Sequence, residues 1–295
     1  MLTRSLSSLV LTIVAASALA ADPQLKPFVL AQKAAGEPAA LAAEVRGKLA
    51  AAGFQEAGSY EPYPGAIVIA VTSDELKAAA AGSKGGAYAV AQRVTLTKVG
   101  DEVQVAFTNP VYMQHAYRLK ADLAPVAEKL GAALGHLEEY GPKDAKSPKD
   151  LKGYHYMFGM PYFDEDSDIA SFGSREQALK SVEAGLTAGR GGAKLVYRID
   201  VPGTEETVFG VALSEGCSGD ERIMKEVDFK PLRSTGHLPY ELLVSGGEVK
   251  ALHAKFRIAV NFPDLSMMGS HSFMGIRCAP DAIEDAFKRV AGVTK

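Results

Sequence analysis

The chain has 295 residues, a formal net charge of −3 and 47% hydrophobic side chains. This composition excludes an intrinsically disordered chain, and with no basic block a nucleic-acid backbone is not an expected partner. The length suits one large domain or two of ordinary size.

Residues 1–20 carry the marks of a signal peptide: Arg4, the apolar run SSLVLTIVAASA, and the small-residue site Ala18-Leu19-Ala20. Cleavage near Ala20 predicts a periplasmic or secreted protein. The run is shorter than the roughly 20 residues needed to cross a bilayer. No later stretch reaches that length without charges, so an integral membrane protein is not expected. Residues 21–140 then read as a first α+β unit. A helix over 39–52 ends at Gly53, GAIVIAVT reads as a buried strand, and TSDELKAAAA opens a helix with a Ser or Thr cap. RVTLTKVGDEVQVAF is a hairpin turning at Gly100-Asp101, and a helix over 122–141 closes the unit.

Residues 141–172 are a linker, rich in Pro, Lys and Asp at first and then aromatic enough to pack. Residues 173–295 repeat the plan. A capped helix starts at SREQ, two strands flank Pro202-Gly203, and SGDERIMKEVD is a short helix. A hairpin turns at Gly246-Gly247 and extends through ALHAKFRIAV, and a last helix spans DAIEDAFKRVAGV. The tetrapeptides GDEV and GGEV occupy equivalent turns, and AFTNPVYM and AVNFPDLSM read as equivalent strand exits. A plan met twice predicts an α+β fold of two similar sub-domains whose sheets could be continuous.

Residues 207–257 carry a family resemblance. Gly216-Cys217-Ser218 stands after a strand and before a short helix, and Leu238-Pro239 precedes a strand hairpin. In both respects the segment resembles the family known as domain of unknown function 302, which has Cys-Asn-Pro at the first position and Leu-Pro at the second. The resemblance implies curved antiparallel sheets with helices on one face. It implies no activity and brings no catalytic residues.

Apart from Met1 and Met224, the methionines fall in three segments that each hold a histidine: Met113 with His115, Met157 and Met160 with His155, and Met267, Met268 and Met274 with His271. Thioether and imidazole groups suit copper or haem iron, whereas methionine equally fills irregular cores or lines apolar pockets. Equivalent strand exits would bring Met113, His115, Met267, Met268, His271 and Met274 together. Along the last hairpin, period-two alternation places His253, Lys255 and Arg257 on one strand face, either as an anion-binding stripe or as a solvated surface. Cys217 and Cys278 form one disulfide or stay as thiols, and Cys217 at a helix start is a candidate reactive thiol opposed by Asp220 and Glu221. The chain lacks G-x-S-x-G, H-E-x-x-H and C-x-x-C. The expectation is an exported, non-enzymatic protein that binds a small ligand, copper or haem near the junction of the repeats. The alternative is an enzyme or sensor for small sulfur or carboxylate anions that uses Cys217 or the His253/Lys255/Arg257 face.

Overall fold

The computed structural model describes residues 22–293, so the expected signal peptide lies outside the described residues. The first unit runs β1 (Phe28–Ala35), α1 (Pro38–Ala51), β2 (Gln55–Tyr60), β3 (Ala66–Thr72), α2 (Asp74–Ala81), β4 (Gln92–Val99), β5 (Glu102–Thr108), α3 (Pro110–Ala116), α4 (Ala124–Leu134) and β6 (Glu138–Tyr140). After α5 (Pro148–Lys152) the second unit runs β7 (Ser167–Ser171), α6 (Arg175–Thr187), β8 (Ala193–Asp200), β9 (Glu206–Leu213), α7 (Asp220–Val227), β10 (Tyr240–Ser245), β11 (Glu248–Ala251), α8 (Ala254–Asn261) and α9 (Ala279–Val290). The caps follow local chemistry. Ser73 accepts from the Leu76 amide and Ser174 from the Gln177 amide, each satisfying a donor left free in the first helical turn.

Two antiparallel sheets result, ordered β2-β3-β4-β5-β1-β6 and β8-β9-β10-β11-β7. Element by element these are the same sheet, with β6 added to the first. Even the irregularities correspond. Ala57 in β2 and Val196 in β8 are single extra residues against β3 and β9. Ala31 in β1 and Ile169 in β7 are extra against β5 and β11. A bulge bends a strand and increases its twist, so shared bulges give both sheets the same curvature. Helices α1 and α4 cover one face of the first sheet, and α6 and α9 cover the matching face of the second.

The units exchange their middle connections. The turn Gly86–Ala89, between α2 and β4, lies against β9 and β10 of the other sheet. Its counterpart Thr235–His237, between α7 and β10, lies against β3, β4 and β5. This explains a polar sheet face buried from water. The Gln104 side-chain amide donates to the Pro231 carbonyl at 2.8 Å and accepts from the Arg233 amide at 2.9 Å. Thr97 and Tyr63 both meet the Thr235 hydroxyl, at 2.8 and 2.7 Å. The equivalent edge strands β2 and β8 also touch. A Cβ on Gly58 would fall 1.9 Å from the Val196 carbonyl oxygen, so only glycine permits this approach.

At the centre lies a buried ion cluster built from both units. Glu241 on β10 takes Arg93 of β4 at 2.5 Å, Arg257 of α8 at 3.2 Å and the Tyr197 hydroxyl at 2.5 Å. Arg257 also donates to the Tyr117 hydroxyl and the His237 carbonyl, both at 2.8 Å. His237 is buried beside both guanidinium groups, which lowers its pKa well below the usual value and keeps it neutral.

Several expectations are corrected here. The segment read as the outgoing strand of the last hairpin is helix α8, and β11 stops at Ala251. Phe256, Ala259 and Val260 enter the first core while Ala254, Ile258 and Phe262 enter the second. A helix buried on both sides is apolar at most positions, and its sequence mimics strand alternation. Strands β1 and β2 and helix α3 were not expected, and the helix placed over 122–141 divides into α4 and β6. The second unit starts with β7, inside the segment assigned to the linker. The sheets are separate rather than continuous. No helix among the described residues is long and apolar enough to cross a membrane.

Removing the acid from the cluster leaves two arginines buried without a counter-charge. Glu241→Gln is expected to cost about 3–5 kcal/mol, measured by urea unfolding near neutral pH. A loss below about 1 kcal/mol, the scale of an exposed pair, would contradict this account of the centre.

Candidate functional site

A cleft runs along α7, where the β2–β3 loop of the first unit faces the second. Three adjoining lobes have volumes of about 610, 570 and 330 Å³. Pro62 lies between the first and third lobes, and Tyr63, Pro64 and Thr97 bring the first unit into the second. Glu221, Lys225 and His271 stand between the first two lobes.

The wall follows from a difference between the repeats. In the first unit, Ser73 alone separates β3 from α2 and caps the helix. In the second, Ser214–Gly219 is inserted before α7, and the Cys217–Cys278 disulfide ties this loop to the start of α9 across a Cα separation of 5.8 Å. The helices begin alike, DEL and DER, yet Asp74 is exposed whereas Asp220 is buried on the inner face of α7.

Two carboxyl groups give the cleft its electrostatic character. Asp220 Oδ2 accepts from the Tyr60 hydroxyl at 2.9 Å and the Leu213 amide at 3.3 Å, and Oδ1 has no partner. Just past the other end of α7, Asp228 Oδ1 accepts from the Ser234 amide at 2.8 Å, and Oδ2 has no partner. Burial raises both pKa values to about 7, against the pull of these hydrogen bonds. Burial also raises Tyr60 and Tyr63 far above the usual phenol range, so both stay protonated and Tyr60 donates to Asp220.

His271 sits at the rim with φ 51°, one of two non-glycine residues with positive φ among the described residues. Such a conformation costs on the order of 1–3 kcal/mol and persists only where its surroundings hold it. Here the ring stacks on Phe229 with centroids 4.5 Å apart, and Nδ1 lies 3.2 Å from the Glu226 carbonyl, placing the proton on Nδ1. The Ser272 amide, 3.1 Å from the Glu226 carboxylate, fixes the same loop to α7.

Of the six residues expected to converge on a metal, only His271 lines this cleft. Met113 is buried in the first core on α3, and His115 is half-buried beside it, its pKa lowered by burial and Lys152. Met267 lines a small apolar cavity with Met160 and Phe273, while Met268 and Met274 face solvent. The expected convergence rested on equivalent strand exits. In the fold, α3 corresponds to α8, and the 266–274 segment comes later. No group of three or more His, Cys, Asp or Glu side chains among the described residues is arranged to hold a metal ion. The anion-binding face is corrected as well. His253 caps α8 by accepting from the Lys255 amide, and Arg257 is buried in the central cluster. Cys217 is in the disulfide, so it offers no thiol.

Sequence reasoning weighed Asp220 and Glu221 only as neighbours of Cys217 and missed Tyr60, Lys225, Asp228 and Phe229. Among known proteins, no family model, no curated protein and no solved structure matches the chain.

The raised carboxyl pKa values have a definite sign for stability. As pH rises from about 4 to 7, the unfolded chain releases two protons that the folded protein keeps, so stability falls. Above about 7 both states are ionised and the penalty is complete, roughly 4 kcal/mol per group for a shift of about 3 units. Asp220→Asn, whose amide oxygen still accepts from Tyr60, should therefore stabilise the protein more at pH 8 than at pH 5. Urea unfolding at both values checks this, and an equal effect at each would rule out the buried carboxyl as the cause.

Proposed function

We propose that this protein is a non-enzymatic binder of a small polar ligand, held in the cleft along α7. The observation that carries this reading is a cleft walled by both units, whose two buried carboxyl groups each keep one oxygen without a partner. Such atoms carry a desolvation cost that a bound ligand would relieve. The left-handed backbone at His271, held by contacts to Phe229 and Glu226, adds a strained residue at the rim.

Binding is favoured over catalysis by spacing. Asp220 and Asp228 lie at opposite ends of α7, about 12 Å apart along its axis at 1.5 Å per residue. That exceeds the separation at which two carboxyl groups act on one bond. The Cys217–Cys278 disulfide supports an oxidising compartment and so agrees with the export expected from residues 1–20. Copper or haem is not part of this reading, because none of Met113, Met267, Met268 and Met274 lines the cleft with His271.

The test is native mass spectrometry of protein purified from its natural source. A small molecule should be released on denaturation and should be absent from Lys225→Trp, whose exposed side chain would fill the wall between the lobes. Protein that carries nothing and has the same small-molecule binding profile as Lys225→Trp would count against the cleft as a site.

A further inference from the structure

The chemistry of the cleft wall narrows the ligand class, and this inference rests on the reading of the cleft as a binding site. Glu221, Lys225 and His271 border both of the larger lobes. Glu221 and Lys225 stand four residues apart on α7, the spacing at which Glu44 meets Lys48 at 2.7 Å and Glu284 meets Lys288 at 2.5 Å. No such pair forms here. Both side chains are exposed, and neither makes a hydrogen bond or ion pair among the described residues. His271 commits Nδ1 to the Glu226 carbonyl, which leaves Nε2 as a free acceptor at the same rim. The wall is also mixed in sign. Glu221 and Glu226 share the first lobe with Arg222 and Lys225, so a net charge on the ligand meets attraction and repulsion side by side.

The buried carboxyl groups point the same way. Asp220 lines the first lobe and Asp228 the second, and each keeps one oxygen without a partner. With pKa values of about 7, both groups sample the ionised and the protonated form near neutral pH. A carboxylate accepts, whereas a carboxylic acid also donates. A hydroxyl answers either form through one oxygen, while an ammonium serves only the first and an anion only the second. One apolar surface completes the set: the Phe229 ring lines the second lobe, stacks on His271 and is 45% exposed. An open ring at a polar rim suits a ligand with polar edges and an apolar C–H face. We infer that these two lobes take a neutral polyhydroxylated molecule, of which a sugar is the simplest case. Its hydroxyl groups bridge Glu221, Lys225 and His271, and its C–H face covers the exposed part of Phe229.

Calorimetric titration of the purified protein with glucose, galactose, mannose, xylose, maltose and cellobiose tests the inference. At least one of them should bind with a Kd below about 10 mM. The tightest should change affinity by less than about twofold between roughly 50 and 500 mM NaCl, because no net charge is screened. Glu221→Ala and Lys225→Ala should each weaken it about tenfold, the scale of one hydrogen bond to a charged group. Phe229→Ala should weaken it by a similar factor, and all three positions are exposed, so the variants keep the fold. Binding that survives all three substitutions would overturn the assignment. So would an amino-sugar or uronic-acid form that binds more than about tenfold tighter than the neutral sugar. If no sugar binds protein whose co-purified molecule is lost in Lys225→Trp, the ligand class is overturned and the cleft stands. Failure of both experiments would remove both.

Discussion

One carboxylate holds the two halves of this protein in a single arrangement. Glu241 is buried, and its partners come from a strand of the first unit and from a strand and a helix of the second. Such a group is poor glue by itself, because two arginines and an acid must all leave water. Its strength is intolerance of alternatives. A sliding or tilted interface would strand a charge in an apolar core, at a cost far above that of an imperfect hydrophobic contact. Apolar burial drives the units together, and the cluster admits only one register.

That register makes the exchange of connections possible. Each unit sends the segment after its middle helix onto the other's sheet, so each sheet has one face covered by its own helices and the other partly by its neighbour. The hydrogen bonds of Gln104 and Thr97 are the molecular form of this exchange. The cleft lies on the same seam. The β2–β3 loop must meet something in the second unit, and it meets α7, displaced by the Ser214–Gly219 insertion and pinned by the disulfide. A duplicated fold has thus become asymmetric at one place, and the unpartnered carboxyl oxygens collect there.

The sequence was legible wherever the structure is decided locally. Gly100-Asp101 and Gly246-Gly247 announce tight hairpins, Ser73 and Ser174 announce helix starts, and a plan repeated twice announces two similar sub-domains. Legibility failed where distant packing decides. Helix α8 is buried between two cores and so lost the polar stripe by which a helix is recognised. The register drawn from it misplaced the methionines: Met113 fills the first core, as thioether side chains commonly do, while Met267 is half-buried on the lining of a separate small cavity. Helix α7 reads from its sequence only as a short helix, and nothing near Asp220 reveals that Tyr60, 160 positions earlier, covers it.

The contact of Gly58 with Val196 has a consequence beyond packing. Strands β2 and β8 each end a sheet, and a terminal strand offers its free amides and carbonyls to any passing chain, the usual route to uncontrolled association. Here each of the two equivalent borders is shielded by the other, at a distance no side chain could fit between. Duplication within one polypeptide therefore acts as protection: the copy supplied with every molecule occupies the place where a stranger would add.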